Sequence, residues 1–212
     1  MRVTSSAAAS KISATGRAER QSVGSRIRGA LRAFAHLAFG DYGLYRIYSL
    51  ALAHAAEPPS ASWMMAPVRN AQDFARSDDP SLRALAMYSG AEAYAFGAWI
   101  NGRLVAGCWL WAGDTYRRRN FWPLSPGDAK LIQVTTAEVF RGRGVAPALI
   151  SFAAAQMKDR GYTRLFARVW YSHAASRATF RKAGWTEEAF VAELFPFRFS
   201  RRIRWVWRRS QR

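Results

Sequence analysis

Apolar and polar positions change their spacing several times along this 212-residue chain, and each change marks a predicted element. Two apolar runs, "AYAFGAWI" and "RLVAGCWLWAG", flank Asn101-Gly102. Asn-Gly accepts the positive φ angles of a type I′ turn, so the pattern predicts a β-hairpin. The β-branched run "AKLIQVTTAEV" predicts a strand over 129–139. The period then becomes helical over Val145–Asp159. Val145, Leu149 and Phe152 form one stripe, and Ala146, Ile150, Ala153 and Met157 form its neighbour. A face of that width is suited to covering a sheet, and Gly161 is placed to end the helix in a left-handed conformation. "RLFARVWYS" reads as a strand, "ASRATFRKA" as a short helix ended by Gly184, and "EEAFVAEL" as a further strand. Strand–helix–strand–helix–strand requires a crossover and at least one parallel pair. The expected fold is therefore α/β (α+β), a mixed central sheet flanked by helices.

Upstream, Trp63–Val68 reads as a short strand, followed by helical segments at Ala71–Arg76 and Ser81–Tyr88. "DTYRRRNFWPLSPGD" (114–128) reads as a loop. Arg26–Phe39 predicts an amphipathic helix, with Ile27, Leu31, Phe34 and Ala38 at helical spacing, and Pro58-Pro59 breaks regular structure through 55–62. Residues 1–25 are Ser/Ala/Arg-rich, a composition shared by disordered segments and transit peptides, and are read as disordered. The chain thus divides into a disordered basic segment (1–25), a helix and linker (26–62), a folded domain (63–194) and a basic aromatic tail (195–212).

Composition narrows the classes. Cys108 is the only cysteine, which excludes an intrachain disulfide and a cysteine-based metal site and fits a reducing, cytoplasmic setting. The net charge of +18 lies mostly at the ends: residues 1–35 carry seven Lys/Arg and one Glu, and residues 195–212 carry seven Arg and no acid. The middle, with eighteen basic and thirteen acidic residues, is only about +5, so nucleic acid is not the expected partner. In the tail, Ile203, Trp205 and Trp207 alternate with Arg202, Arg204 and Arg208. An extended segment of that kind presents an aromatic face beside a cationic one, which suits peripheral contact with the anionic inner face of a membrane.

The stretch with the strongest chemical content is "EVFRGRGVAPAL" (138–149), where a strand gives way to a helix. A helix N-terminus offers unpaired backbone N–H groups and the positive end of the dipole, which together bind phosphate. Gly142 and Gly144 allow close approach of the backbone, and Arg141 and Arg143 add charge. No Gly-Lys-Ser/Thr follows and a third glycine is missing, so neither the Walker nor the dinucleotide pattern is present.

Arg141-x-x-Gly144-x-Ala146 resembles the Arg/Gln-x-x-Gly-x-Gly/Ala signature of the GNAT superfamily of N-acetyltransferases. A second segment, "SHAASRATFRKAGW" (172–185), resembles the family's later motif: His173 stands at the usual Asn, Ser176 at the usual Ala, Phe180 at the usual Tyr, and Gly184-Trp185 at the usual Gly-Phe. The resemblance covers roughly residues 63–194. It implies a GNAT-like acyltransferase that takes acetyl-CoA as co-substrate, needs no metal, and acylates a small amine acceptor. By the same resemblance the pyrophosphate lies on the turn formed by Arg141, Gly142, Arg143, Gly144, Val145 and Ala146. The acyl arm runs along Val134, Thr135 and Thr136, with Ser176 and Phe180 beside it.

Acyl transfer needs a neutral amine, and the leaving thiolate is helped by an acid. The family's usual acid is a Tyr where this chain has Phe180, which carries no proton to give. Tyr171 and His173 are the nearest substitutes in sequence, and Tyr171 also reads as an aromatic packing beside the cofactor arm. Glu138 and Asp128 are candidate bases, with Gln133 as holder of a relay water. Arg177, Arg181 and Lys182 read either as phosphate contacts or as a solvated helix face. Trp99, Trp109, Trp111, Phe121 and Trp122 crowd the expected acceptor side, which suits an amino sugar or sugar nucleotide, although core packing explains most of them. The alternative class is a catalytically silent protein on the same fold that docks to membrane or nucleic acid through its basic ends.

Overall fold

Asn101 and Gly102 take φ angles of 50° and 76°, as an Asn-Gly hairpin turn requires, and they join β3 (Ala93–Ile100) to β4 (Arg103–Trp111) in the expected antiparallel pair. The computed structural model describes residues 41–55, 63–113, 116, 121–195 and 202–209. The predicted disordered segment 1–25, the helix 26–39, the break after 55 and most of the loop 114–120 lie outside the described residues, as does the start of the tail.

The remaining elements follow in chain order. β1 (Asp41–Ala51) comes first, then β2 (Met64–Val68), α1 (Gln72–Ala75), and α2 (Pro80–Arg83) with a 3₁₀ turn over Ala84–Tyr88. After the hairpin come β5 (Asp128–Thr136), α3 (Val145–Asp159), β6 (Arg164–Trp170), α4 (Ala174–Lys182), β7 (Thr186–Phe195) and β8 (Ile203–Arg208). They build one eight-stranded sheet in the order β2-β3-β4-β5-β6-β1-β7-β8. β5 and β6 run parallel across the α3 crossover, whereas β1–β6, β2–β3, β3–β4 and β4–β5 are antiparallel. The expected mixed sheet is present.

α3 covers its length as the apolar stripes predict: Val145, Leu149, Ile150, Ala153, Ala154 and Met157 are buried against strand residues such as Phe96, Val105, Leu131 and Leu165. Gly161 ends it at φ 86°, where its N–H donates to the Lys158 carbonyl and that of Tyr162 to Met157. On the opposite face of the sheet, Tyr45, Ile47, Phe121, Trp122, Phe166, Ala189 and Val191 form a second cluster.

Two expectations are corrected. Residues 41–51, assigned on sequence to the linker of 26–62, form β1, which pairs with β6 from Tyr45↔Trp170 to Ala51↔Arg164. Its alternate residues feed both layers: Tyr45 and Ile47 join one cluster, and Tyr48, Leu50 and Leu52 the other. The strand predicted over 129–139 ends at Thr136. Ala137 donates the last ladder bond to Val105, and Glu138–Phe140 then turn as a 3₁₀ segment.

Contacts divide the chain into two units. The larger comprises Leu44–Val191 and Val206–Arg212 and holds the whole of the candidate site. Within the smaller, Arg202 and Arg204 both pair with the Glu193 carboxylate, at 3.3 and 3.5 Å. The tail residues Ile203–Arg208 are extended, as expected, and their side chains are exposed.

Candidate functional site

The site begins with a defect in the sheet. Between β4 and β5 the register passes from Trp109↔Gln133 to Leu110↔Leu131, so Ile132 is an extra residue on β5 without a partner. A bulge of this kind bends its strand. The parallel β5–β6 pairing accordingly covers only Asp128–Leu131 against Arg164–Ala167. Beyond it the strands part, and a cleft of about 350 Å³ opens between them. Leu131–Val134 form one wall and Arg168–Trp170 the other, with Tyr88, Phe121, Lys130, His173, Ser176 and Phe180 completing the lining. The lining draws on both faces of the sheet, since Phe180 and Val169 belong to the helix-side core and Phe121 to the opposite cluster.

The glycine–arginine turn follows at the end of β5. Gly142 and Gly144 have φ angles of 77° and 83°, in the left-handed region that favours glycine, and Gly144 is the N-cap of α3. A Cβ built at either position meets nothing within 4 Å, so the space over the turn is open. Among the described residues, the backbone N–H groups of Gly142 through Ala146 have no carbonyl partner; the first helical bond is Ala148 N–H to Gly144. Pro147 falls among the first helical positions, where a missing N–H breaks no bond. Arg141 turns back to bond the Thr136 carbonyl through Nε at 3.3 Å, and the Arg143 guanidinium lies 5.4 Å from the Phe140 ring centre. Upstream, the Asp79 carboxylate caps α2, accepting from the Ser81 hydroxyl and the N–H groups of Ser81 and Leu82. These bonds, that of the Ser81 hydroxyl foremost, hold Asp79 below the usual carboxylate range.

The residues expected from the sequence divide into those that reach the cleft and those that do not. Val134, His173, Ser176 and Phe180 line it, as does Gln133, whose amide donates to the Thr135 hydroxyl at 3.3 Å. Thr135 and Thr136 pair with Gly107 and Ala106 on β4, and the Thr136 hydroxyl is buried without a partner. Glu138 is exposed on the 3₁₀ turn and is not part of the lining. Tyr171 is also outside it: the ring packs edge-on against Phe190 at 5.9 Å, with the guanidinium groups of Arg177 and Arg46 at 5.2 and 5.6 Å. Asp128 is committed to Arg164 by two hydrogen bonds of 3.2 Å. Phe180 is buried, stacked on Tyr48 and edge-on to Trp185. Of the five aromatics expected on the acceptor side, Phe121 alone lines the cleft; Trp109, Trp111 and Trp122 are buried elsewhere, and Trp99 packs over Gly97.

Besides the aliphatic Leu131, Ile132 and Val169, four lining residues escaped the sequence reading: Tyr88, Lys130, Arg168 and Trp170. A signal for two of them exists, because Lys130 and Arg168 interrupt otherwise apolar strands ("AKLI" and "LFARVW") where a packed position is expected. Among the described residues no cluster of His, Cys, Asp or Glu is arranged to hold a metal ion. No helix among them is long and apolar enough to cross a membrane.

The sequence profile of the Acetyltransferase (GNAT) family matches residues 53–185, more than half of the chain. The chain belongs to the GNAT acetyltransferase family. Solved GNAT folds agree with this placement. An acetyltransferase of the GNAT family from Colwellia psychrerythraea superposes with a TM-score of 0.53 at 18% identity, over 78% of this chain and 60% of that one. A GNAT-family acetyltransferase from Novosphingobium aromaticivorans gives 0.51 at 17% identity, over 73% and 64%. A GCN5-related N-acetyltransferase from Kribbella flavida gives 0.50 at 16% identity, over 71% and 58%. At these identities the likeness is one of fold, and the chain spans about three fifths of the length of each. No curated protein sequence matches it. Within the GNAT fold, the parted parallel strands and the adjoining amide turn are what the bulge at Ile132 and the two left-handed glycines produce.

Proposed function

We propose that this GNAT protein is an acyl-CoA-dependent N-acyltransferase that moves an acetyl group from acetyl-CoA to a primary amine. The observation that carries the reading is the junction of two features: the cleft opened between β5 and β6, and the row of N–H groups from Gly142 to Ala146 beside it, which have no carbonyl partner among the described residues. A pyrophosphate is an anion suited to such a row, and the open space over Gly142 and Gly144 leaves room for it. The arm of the co-substrate would then follow Val134 into the cleft, between Ser176 and Phe180. We assign these roles to Arg141, Gly142, Arg143, Gly144, Val145 and Ala146 at the phosphates, and to Val134, Thr135, Thr136, Ser176 and Phe180 along the arm. We further propose residues 63–194 as the catalytic part, with β1 completing the same sheet.

In the reaction, the neutral amine attacks the thioester carbonyl, the C–S bond breaks, and the amine nitrogen gives up a proton as CoA leaves as thiolate and takes one up. Phe180 can neither give nor take that proton. His173 lines the cleft, and a neutral imidazole there can accept the amine proton and return it to the thiolate. We therefore favour His173 over Tyr171 and Glu138, which lie outside the lining. The test is amine-stimulated release of CoA thiol from acetyl-CoA by the full-length chain. Stimulation by at least one primary amine, with the amide as product, is the expected result; binding of acetyl-CoA with no stimulation by any amine would instead support the catalytically silent reading that Phe180 and the basic tail favour.

The acceptor class of this proposal is an amino sugar or sugar nucleotide, the setting is cytoplasmic, and no metal enters it. Peripheral contact with an anionic membrane through β8 is a separate proposal, supported by the exposure of Ile203, Trp205 and Trp207 on one side of the strand.

A further inference from the structure

A groove separate from the cleft lies at the other end of the same strand. β6 runs from Arg164 in the groove to Trp170 in the cleft, and its seven residues span about 20 Å. The groove has two lobes, of about 270 and 240 Å³, which share Arg164 and Glu188. Trp122, Ser125 and Arg208 stand in the first lobe, and Ser49, His54 and Thr186 in the second.

The charged groups of the first lobe are Arg164, Glu188 and Arg208, and their pairing decides what it can bind. Arg164 is committed: its guanidinium donates to both Asp128 carboxylate oxygens at 3.2 Å. Glu188 and Arg208 remain. The half-buried Glu188 carboxylate accepts from the Ser49 hydroxyl, and the Arg208 guanidinium lies 5.4 Å from the Trp122 ring centre. Among the described residues neither has an ion-pair partner, and they are not paired with each other. The Arg209 N–H donates to the Glu188 carbonyl at 2.9 Å, which fixes β8 beside β7 at this level.

A half-buried carboxylate that no cation faces keeps part of its desolvation cost. A ligand with an ammonium and a carboxylate satisfies both side chains at once through charge-assisted hydrogen bonds. A ligand of one sign would satisfy one of them and bring a like charge toward the other. Each lobe is smaller than the roughly 300–1,000 Å³ of drug-sized sites, so the ligand is a small one.

We propose that this groove is a binding site for a free amino acid, which places its ammonium on Glu188 and its carboxylate on Arg208. The site is distinct from the cleft between β5 and β6 and independent of the acyltransferase reading.

The test is calorimetric titration of the full-length protein without an acyl donor, so that no amine is consumed. The probes are glycine, L-leucine and γ-aminobutyrate, which vary the side chain and the spacing between the two charges. At least one should bind, and its amide and its N-acetyl derivative, which each lack one charge, should bind more weakly by about tenfold or more. Glu188→Gln and Arg208→Gln should each weaken the parent by a similar factor, and Arg208→Lys should restore part of the loss, since it returns the charge without the planar fork. A glutamine at position 188 still accepts from Ser49, and Arg208 is exposed, so both variants should melt close to the wild type. The proposal is overturned if the wild type binds none of the three probes, if the amide and the N-acetyl derivative bind as tightly as the parent, or if both glutamine variants bind like the wild type. Undiminished binding in those variants would place the amino acid in the cleft instead.

Discussion

Phe180 shows how a single residue moves the chemistry elsewhere. Its ring is held between Tyr48 and Trp185, so the position serves packing and no hydroxyl is available there. The two residues that sequence reading offered as substitutes are three-dimensionally unlike. Tyr171 leans on Phe190 with Arg177 and Arg46 against its ring, whereas His173 faces the cleft. In the amine-stimulated CoA-release assay, His173→Ala is therefore expected to lower kcat by about a hundredfold with little change in KM, the usual range for losing a positioned acid or base. Tyr171→Phe should retain near-normal kcat. The reverse ranking would exchange their roles, and near-normal kcat in both variants would remove both.

At the scale of elements, α2 depends on its cap. Asp79 closes the N-terminus of α2 by accepting from the N–H groups of Ser81 and Leu82 and from the Ser81 hydroxyl. Losing a cap of this kind costs about 1 kcal/mol. Because the Asp79 carboxyl is held below its ordinary value in the folded state, its contribution is complete above the ordinary carboxylate range and is lost as pH falls through the depressed value. Asp79→Ala should thus melt lower than wild type at pH 7, with the gap closing as denaturation is followed into acid; a gap that is constant with pH would mean that the carboxylate charge is not involved. The elements that sequence made legible are those whose signals are local. The Asn-Gly turn, the width of the α3 stripe and the stops at Gly161 and Gly184 each lie within a few residues of what they determine. β1 was missed because "DYGLYRIYSLA" buries both faces of a strand whose partner β6 is more than a hundred residues away, so neither alternation nor a turn signal marks it. The bulge at Ile132 left no mark either, since an extra β-branched residue reads as more strand. The glycine–arginine turn was legible for the opposite reason: its glycines take left-handed φ angles and are needed where they stand. The place of Lys130 and Arg168 in the cleft was not, because they come together only when β5 and β6 are paired.

For the whole molecule, charge is uneven and the tail concentrates it. β8 extends Ile203–Arg208 with every side chain exposed, while Arg208 lies 5.4 Å from the Trp122 ring and the Trp207 ring 5.6 Å from that of Phe190. Trp205 has no such commitment among the ring contacts of the described residues, and it is 43% exposed. If the tail meets membranes, the full-length chain should pellet with vesicles rich in anionic phospholipid and not with neutral ones, and Trp205→Ser should weaken the effect; equal pelleting with both vesicle types would end that proposal. Membrane contact is independent of the central claim, which is that the glycine–arginine turn beside the parted strands holds an acyl-CoA. The most direct measurement of that claim is the melting temperature with and without acetyl-CoA, for wild type and for Gly144→Asp. A ligand that binds only the folded state adds about 2.7 kcal/mol at a hundredfold excess over its dissociation constant, so the wild type should melt several degrees higher. Gly144→Asp must take a left-handed φ of 83°, so it should start from a lower melting temperature, and its carboxylate projects into the open space over the turn. It should show no rise with acetyl-CoA. A wild type that does not respond to acetyl-CoA, or a Gly144→Asp variant that responds as fully as the wild type, would contradict the account.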